Sequence, residues 1–283
     1  MLELSQRLTE IFGQRPRSLV PLSGGCVGEV YRVDLPDGRR FVAKVDGSAH
    51  PVLDKEGWML RYLAGRSHLP VPEVVHSAPE LLVMSFLPGR GVDGAAEPHA
   101  AELLADLHGI TARAYGLETD TLIGGLHQPN PWTTSWLAFF REHRLRFMAR
   151  TAYEAGQLPA RELSRIEKLA GRLERWLEEP PGPALIHGDV WSGNVLAQNG
   201  RITGFLDPAI YYADPEMELA FITLFHTFGD AFFRRYDELH GIRPGFWEVR
   251  RHLYNLYPLL VHVRLFGGGY VGSVQRTLAR FGV

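Results

Sequence analysis

Residues 185–208, LIHGDVWSGNVLAQNGRITGFLDP, constrain this chain more than any other stretch. Two apolar runs, 195–197 and 202–206, flank Gln198-Asn199-Gly200-Arg201. Asn-Gly between such runs is a strong hairpin signal, because both central residues of the tight turn need φ > 0. Leu185-Ile186-His187 is a short apolar run entering a loop ahead of it. The expected hairpin pins three polar side chains to one small unit: Asp189 and Asn194 in the loop, Asp207 where the second strand ends. A single Asp in a turn commonly does no more than satisfy local backbone. Three oxygen-bearing side chains fixed around one hairpin call for chemistry.

Their spacing names the chemistry. Asn194 follows Asp189 by five positions, as in the catalytic loop H-R-D-L-x-x-x-N of kinases, and Asp207 stands where kinases carry the Asp of D-F-G. In phosphoryl transfer the first Asp accepts the proton of the attacking hydroxyl, while the Asn and the second Asp hold Mg²⁺ against the nucleotide phosphates. The expectation is a phosphotransferase using ATP and Mg²⁺, with Asp189 as general base and Asn194 and Asp207 as metal ligands.

The remaining composition narrows partners and place. The chain has 283 residues, 45% hydrophobic and 22% charged, as expected of one large or two moderate globular domains. A formal net charge of −2 gives no reason to propose nucleic acid or an anionic membrane as partner. The start, MLELSQRLTEIFG, has acidic residues and helical spacing, so it does not read as a signal peptide. No run of about 18 apolar residues occurs. Cys26 is the single cysteine, which excludes an internal disulfide and makes the cytoplasm the expected location. A monomer is expected.

Ahead of the hairpin, residues 17–22, 30–35 and 40–45 read as strands. The loop Ser23-Gly24-Gly25-Cys26-Val27-Gly28 lies between the first two. Strand–loop–strand is the kinase way of laying backbone N–H groups over phosphates, although only Gly25-x-x-Gly28 fits the glycine pattern. Gly24, Gly25, Cys26, Val27 and Gly28 are the candidate nucleotide contacts. Phe41-Val42-Ala43-Lys44-Val45 is similar to the V-A-I-K strand, whose Lys contacts phosphates and pairs with a helix Glu. With only three lysines in the chain, a lysine inside an apolar strand is unlikely to be accidental. It needs a carboxylate partner, since an unpaired buried charge is costly. The next helix, 51–64, offers Asp54 and Glu56, and Glu56 shares a face with Leu60 and Leu63. Two more strands, 71–75 and 80–86, complete five. Leu87-Pro88-Gly89 then reads as a hinge, with adenine against the backbone of Ser85, Phe86 and Leu87. This sets a nucleotide-binding N-lobe at 1–87 and a mainly helical C-lobe at 88–283.

In that second part helices are expected at 100–109, 136–154, 161–177, 215–228, 246–267 and 273–281, with little strand besides the hairpin. Trp132, Trp136, Phe139 and Phe140 read as mostly core. Only residues 208–213 separate Asp207 from a helix start at Asp214-Pro215-Glu216, too few for a protein kinase activation segment. A small acceptor and a site open without phosphorylation follow.

HGDVWSGN followed by FLDPAIYYADPEMELA resembles the fructosamine kinase (ketosamine 3-kinase) family, within the aminoglycoside-phosphotransferase branch of the kinase-like fold. Further matches are Gly24-Gly25-Cys26, Leu104-Ala105-Asp106-Leu107-His108, and Gln128-x-Asn130-x-Trp132 with Trp136, Phe139, Phe140, Arg144 and Leu145. Tyr254 and His262-x-x-x-Phe266-Gly267 carry the resemblance towards the C-terminus, so it covers essentially the whole chain. It implies an α+β, protein-kinase-like two-lobe fold: a small five-stranded antiparallel N-lobe with one key helix, and a larger mainly α C-lobe carrying the catalytic hairpin. It also implies ATP-dependent phosphorylation of the 3-hydroxyl of ribulosamine, erythrulosamine or fructosamine adducts, on a free amine or on a lysine of protein. The 3-phosphate then leaves readily and frees the amine, which is deglycation, a protein repair.

By the same resemblance Lys44 positions phosphate, Glu56 orients Lys44, and Glu218 braces the catalytic loop from the following helix. Two departures stand out: Ser23 in place of the first loop glycine, which bears on nucleotide affinity, and Leu224-Phe225-His226-Thr227-Phe228 where some relatives carry Gly-Gly, which bears on sugar preference. Trp191 is expected to wall the acceptor pocket and His262 to reach the acceptor, with ordinary packing the alternative for each. His187 reads as a structural hydrogen-bonder. Cys26, beside loop N–H groups and a lysine, is expected to have a lowered pKa and to oxidise to a dimer that blocks nucleotide. Two rivals remain. One is another alcohol kinase, acting on an aminoglycoside or choline, which the scarcity of C-terminal carboxylates disfavours. The other is a nucleotide-binding pseudokinase, for which intact Lys44, Asp189, Asn194 and Asp207 would be superfluous.

Overall fold

Alternating apolar residues and tight turns build one antiparallel sheet from the first third of the chain in the computed structural model, which describes residues 2–22 and 28–283. Helix α1 (Leu2–Phe12) precedes β1 (Ser18–Leu22), β2 (Glu29–Asp34), β3 (Arg40–Val45), α2 (Leu53–Arg66), β4 (Val74–Ala78) and β5 (Leu81–Ser85). The strands lie in the order β1-β2-β3-β5-β4, each pair antiparallel. Successive side chains of a strand point to opposite faces, so each face finds its own cover. Val33, Ala43, Leu81 and Val83 pack with Leu8 of α1, while Leu82 and Met84 pack with Leu53 and Leu60 of α2. Lys44 sits in the middle strand, between Val30 and Leu82. It shares the α2 side with Val42, as alternation requires.

The strand expected at 71–75 forms three residues later. Pro70 and Pro72 carry no N–H for a ladder, and the β4–β5 register shifts between Val74 and His76 before regular pairing begins.

The rest is mainly helical: α3 (Glu97–His108), α4 (Trp136–Phe139), α5 (Phe147–Glu154), α6 (Ala160–Ala170), α7 (Glu216–Leu224), α8 (Asp230–Leu239), α9 (Arg251–Tyr254), α10 (Leu256–Phe266) and α11 (Val271–Arg280). Short strands run between them: β6 (Thr121–Ile123) with β7 (Leu126–Gln128), β8 (Ala184–Ile186) with β11 (Tyr211–Ala213), and β9 (Val195–Gln198) with β10 (Arg201–Phe205). The expected helix at 136–154 is continuous, but its middle, Phe140–Arg146, is π-helical. That at 161–177 stops at Ala170, capped by Gly171. The one expected to reach 228 ends at Leu224, because His226 turns left-handed at φ 52°. Helix 246–267 opens as a π-turn and is interrupted at Asn255.

Trp136, Phe139 and Phe140 are fully buried, whereas Trp132 is 48% exposed. It precedes the helix cap at Ser135 and leans on Tyr212 instead of joining the core. Among the described residues no helix is long and apolar enough to cross a membrane.

Candidate active site

The catalytic loop is hung from its backbone. Strand β8 delivers the chain to His187, and Gly188 follows at φ +86°, where an added Cβ would lie 2.2 Å from the carbonyl oxygen of Ala209. Only glycine fits that turn. The Glu218 carboxylate, in the first turns of α7, accepts the N–H groups of His187 at 3.2 Å and Gly188 at 2.6 Å. The same carboxylate is 2.9 Å from Nε2 of His108, whose Nδ1 is 2.6 Å from the Tyr236 hydroxyl. Burial disfavours the Glu218 charge, but His108, His187 and the loop N–H outweigh it and hold the carboxyl below its ordinary range. His187 is fully buried and accepts the Asp189 N–H at Nδ1, 3.3 Å away.

The loop and hairpin then present the oxygen-bearing groups. Asn194 donates from Nδ2 to the Asp189 carboxylate at 2.9 Å and to its backbone oxygen at 3.0 Å. The predicted turn forms, with Asn199 at φ 54° and Gly200 at φ 71°. Asp207 ends the hairpin at φ 52°, a left-handed conformation that Asp tolerates better than most residues. Its carboxylate is in direct contact with the Lys44 ammonium. Lys44 also donates to Glu56 at 2.7 Å, whereas Asp54 is exposed. Burial penalises the ammonium, and the carboxylates of Glu56 and Asp207 outweigh it, so its pKa is raised. For Glu56 burial pushes the carboxyl up against the pull of Lys44.

Asp189 is pushed up to about 8, first by burial and then by the charge of Asp207. The carboxylates of Asp189 and Asp207 and the amide carbonyl of Asn194 are hard oxygen donors of the kind that suits Mg²⁺. The Asn194 amide nitrogen is engaged by Asp189, which leaves its oxygen for such an ion.

Of the expected nucleotide contacts, Gly24, Gly25, Cys26 and Val27 lie outside the described residues. Gly28 lies against the backbone of Val45. In the expected hinge, Ser85 donates its N–H to Glu73 and Phe86 to Arg40, as the sheet ladder runs on into it. Among the described residues Leu87 donates no backbone hydrogen bond, so it is the hinge N–H open to a ligand.

Beside Asp189 opens a cavity of about 370 Å³, with Trp191 and His262 both in its wall. The Trp191 ring lies so close over Gly193 that a Cβ there would be 2.4 Å from it, which accounts for the glycine in Trp-Ser-Gly. His262 donates from Nδ1 to the Pro258 carbonyl at 2.7 Å, and its ring stands against Phe225 and Tyr270.

Behind this wall stand buried polar groups to which the sequence alone gives no role. Gln128 donates to the Ala209 carbonyl at 3.1 Å and accepts from Tyr257 at 2.7 Å. Arg144 is fully buried, donates to Asn130 at 2.7 Å and lies 3.8 Å from the Tyr211 ring centroid. The one available signal was the cluster of Gln128, Asn130 and Arg144 in an otherwise apolar stretch, since polar groups in a core must find one another.

Comparison with known proteins agrees with this arrangement. A protein of Synechocystis named Probable ketoamine kinase is 35% identical, over 97% of this chain and 94% of its own. The chloroplastic protein-ribulosamine 3-kinase of Oryza sativa subsp. japonica is 31% identical, over 95% of this chain and 80% of its own. Among solved structures, a candidate fructosamine-3-kinase from Thermobifida fusca superposes with a TM-score of 0.88 at 30% identity, covering 99% of this chain and 98% of that one. An aminoglycoside phosphotransferase shares the fold at a TM-score of 0.68 and 20% identity. The family model for fructosamine kinase matches residues 1–281. With a kinase-like sheet and hairpin and a match from end to end, this chain belongs to the fructosamine kinase family.

Proposed function

We propose that the protein transfers the γ-phosphoryl group of ATP to the 3-hydroxyl of a ketosamine, on a free amine or a glycated lysine, so that the amine is released. The observation that carries the reading is the pairing of Lys44 with Asp207 and of Asn194 with Asp189, where Asp189 feels the charge of Asp207 and stands in the cavity wall. Relatives named ketoamine kinase and protein-ribulosamine 3-kinase support this acceptor class. Lys44 holds phosphate oxygens, oriented by Glu56. Asn194 and Asp207 would hold Mg²⁺, which neutralises phosphate charge when bound. Asp189 takes the hydroxyl proton as the acceptor oxygen bonds to phosphorus and the bond to the ADP oxygen breaks. Burial makes the Asp189 carboxylate a stronger base than an ordinary one once its own proton is off. Trp191 and His262 flank the acceptor, and Glu218 and His187 keep the loop in shape.

We read residues 1–87 as the nucleotide lobe and 88–283 as the acceptor lobe, and the active species as a cytoplasmic monomer. Cys26, being the single cysteine, can only bridge two copies. Peroxide-treated protein is expected to run as a dimer on a non-reducing gel, and monomer alone discards that switch.

The deciding assay measures ADP release with ribulosamine and fructosamine adducts, and with choline and an aminoglycoside as controls. Asp189→Asn is expected to lower ketosamine turnover about 10²–10⁴-fold, while ATP binding measured by titration stays near normal. Turnover of the control alcohols alone would overturn the assignment of acceptor.

A further inference from the structure

The small hairpin of β6 and β7 ends beneath the segment that leaves Asp207. Gly124 and Gly125, at φ +55° and +81°, close its two-residue turn, and both positions need the left-handed region. That turn sets Thr121 directly opposite Gln128. Residues so paired put their side chains on one face, and here both are buried.

The polar groups of the pair converge on two consecutive carbonyls. Gln128 donates from Nε2 to the Ala209 carbonyl at 3.1 Å and to the Thr121 hydroxyl at 2.8 Å. The Thr121 hydroxyl donates in turn to the Ile210 carbonyl at 3.3 Å. It also accepts from Asn130 at 2.8 Å, and Asn130 is held by Arg144 at 2.7 Å. The Gln128 oxygen accepts from the Tyr257 hydroxyl at 2.7 Å. Ala209 and Ile210 stand only two and three positions beyond Asp207.

Asp207 is a residue that needs holding. It precedes Pro208, a position that favours extended backbone, yet it stands at φ +52°. A left-handed non-glycine residue persists only where its surroundings over-determine it. On its N-terminal side Leu206 donates to the Asn194 carbonyl at 2.8 Å, and on its C-terminal side Ala209 donates to the His187 carbonyl at 2.8 Å. The Ala209 carbonyl also lies against Gly188 of the catalytic loop. Ala209 is therefore gripped by the loop through His187 and Gly188 and by the hairpin through Gln128.

We propose that Gln128, seconded by Thr121, is a positioning residue that keeps Asp207 in register with Asn194 for Mg²⁺. The loop carries Asp189 and Asn194, the chain leaving β10 carries Asp207, and Ala209 is where those two halves touch. The side chain at 128 must donate, since the group it meets is a carbonyl oxygen that can only accept. This rests on the kinase reading for its metal, and adds which residues hold the two ligands together.

The experiment reads metal binding apart from turnover. Parent and variant proteins are melted with a non-hydrolysable ATP analogue, first in EDTA and then at rising Mg²⁺, which separates the metal-dependent rise in Tm. Gln128→Met keeps the length of the side chain and removes its donors. The Mg²⁺ concentration giving half of the rise should increase about tenfold, with the rise in EDTA unchanged. Thr121→Val keeps the shape and loses the hydroxyl, so it should move the half-point the same way. Thr121→Ser restores the hydroxyl and should return to within about twofold of the parent. Those two variants decide the matter if Gln128→Met does not fold. Tyr257→Phe breaks a bond to the same amide but leaves Ala209 and Ile210 held. It should lower Tm in EDTA and leave the Mg²⁺ half-point where it was. Half-points unchanged in Gln128→Met and Thr121→Val overturn the inference and leave the kinase reading standing. An equal shift in Tyr257→Phe overturns it too, because general loosening would then explain all three. A parent protein whose Tm ignores Mg²⁺ takes down both readings.

Discussion

Lys44 is buried with a carboxylate on either side, Glu56 from the helix beneath the sheet and Asp207 from the end of the hairpin. Lys44→Met takes away the cation that holds those two carboxylates together, along with a ligand for phosphate. We expect kcat/KM for ATP to fall by about 10²-fold or more, measured by ADP release at saturating acceptor. Asp189 gives a prediction in pH. Its carboxyl is pushed up to about 8 in the folded protein, mainly by burial and then by Asp207, from an ordinary 3.8. Between those values the unfolded chain has lost the proton and the folded one keeps it, so folded stability falls as pH rises through that window. Asp189→Asn removes the effect. In EDTA and without nucleotide, its Tm gain over the parent protein should grow from pH 5 to pH 8 and then level off; a gain that shrinks with pH would contradict the assignment. Asp189, Asn194 and Asp207 were legible because one hairpin fixes them at close spacing, and Glu56 because helical periodicity chose it over Asp54. His108 was not, since its contacts to Glu218 and Tyr236 cross 110 and 128 residues of chain and leave no local pattern.

Secondary-structure elements show which supports the loop depends on. Helix α7 reaches back with Glu218 to the backbone of His187 and Gly188, so one carboxylate sets the height of the catalytic loop. Glu218→Ala leaves buried N–H groups and His108 without an acceptor and should cost about 3–5 kcal/mol in urea unfolding. Gly188→Ala puts a methyl into the Ala209 carbonyl at a left-handed φ. A loss of at least about 1–3 kcal/mol, with turnover abolished by the displaced loop, is expected in the same assay. At this scale the hairpin and the sheet were readable from alternation and turn chemistry. The pairs β6–β7 and β8–β11 were not, because three residues carry no periodicity. Helix ends fared worst where a single backbone event decides them, such as the left-handed His226 or the break at Asn255.

The whole molecule joins a sheet that carries Lys44 to a hairpin that carries Asp207, and the two are linked by that ion pair. Further ties run alongside it: Arg90 bridges to Ala197, and Thr203 bonds the carbonyl of Pro88. A nucleotide held by both parts should stabilise the chain as a unit. A non-hydrolysable ATP analogue with Mg²⁺ at 100 times its Kd contributes about 2.7 kcal/mol, or a rise in Tm of about 4–5 °C. In Asp207→Asn the Mg²⁺-dependent part of that rise should vanish. The kinase-like architecture was legible because five alternating strands precede a long helical run. How the C-terminal helices close the acceptor cavity was not, since it depends on packing between distant segments. Tyr211–Ala213, just beyond the metal-binding Asp207 we propose, is stitched to β8 on one side and to Gly116 on the other. A segment so tethered has no slack for a modifying enzyme or a regulatory partner to pull on. Whatever sets throughput, be it the supply of enzyme, the load of damaged amines or oxidation at Cys26, would then act elsewhere than on this segment.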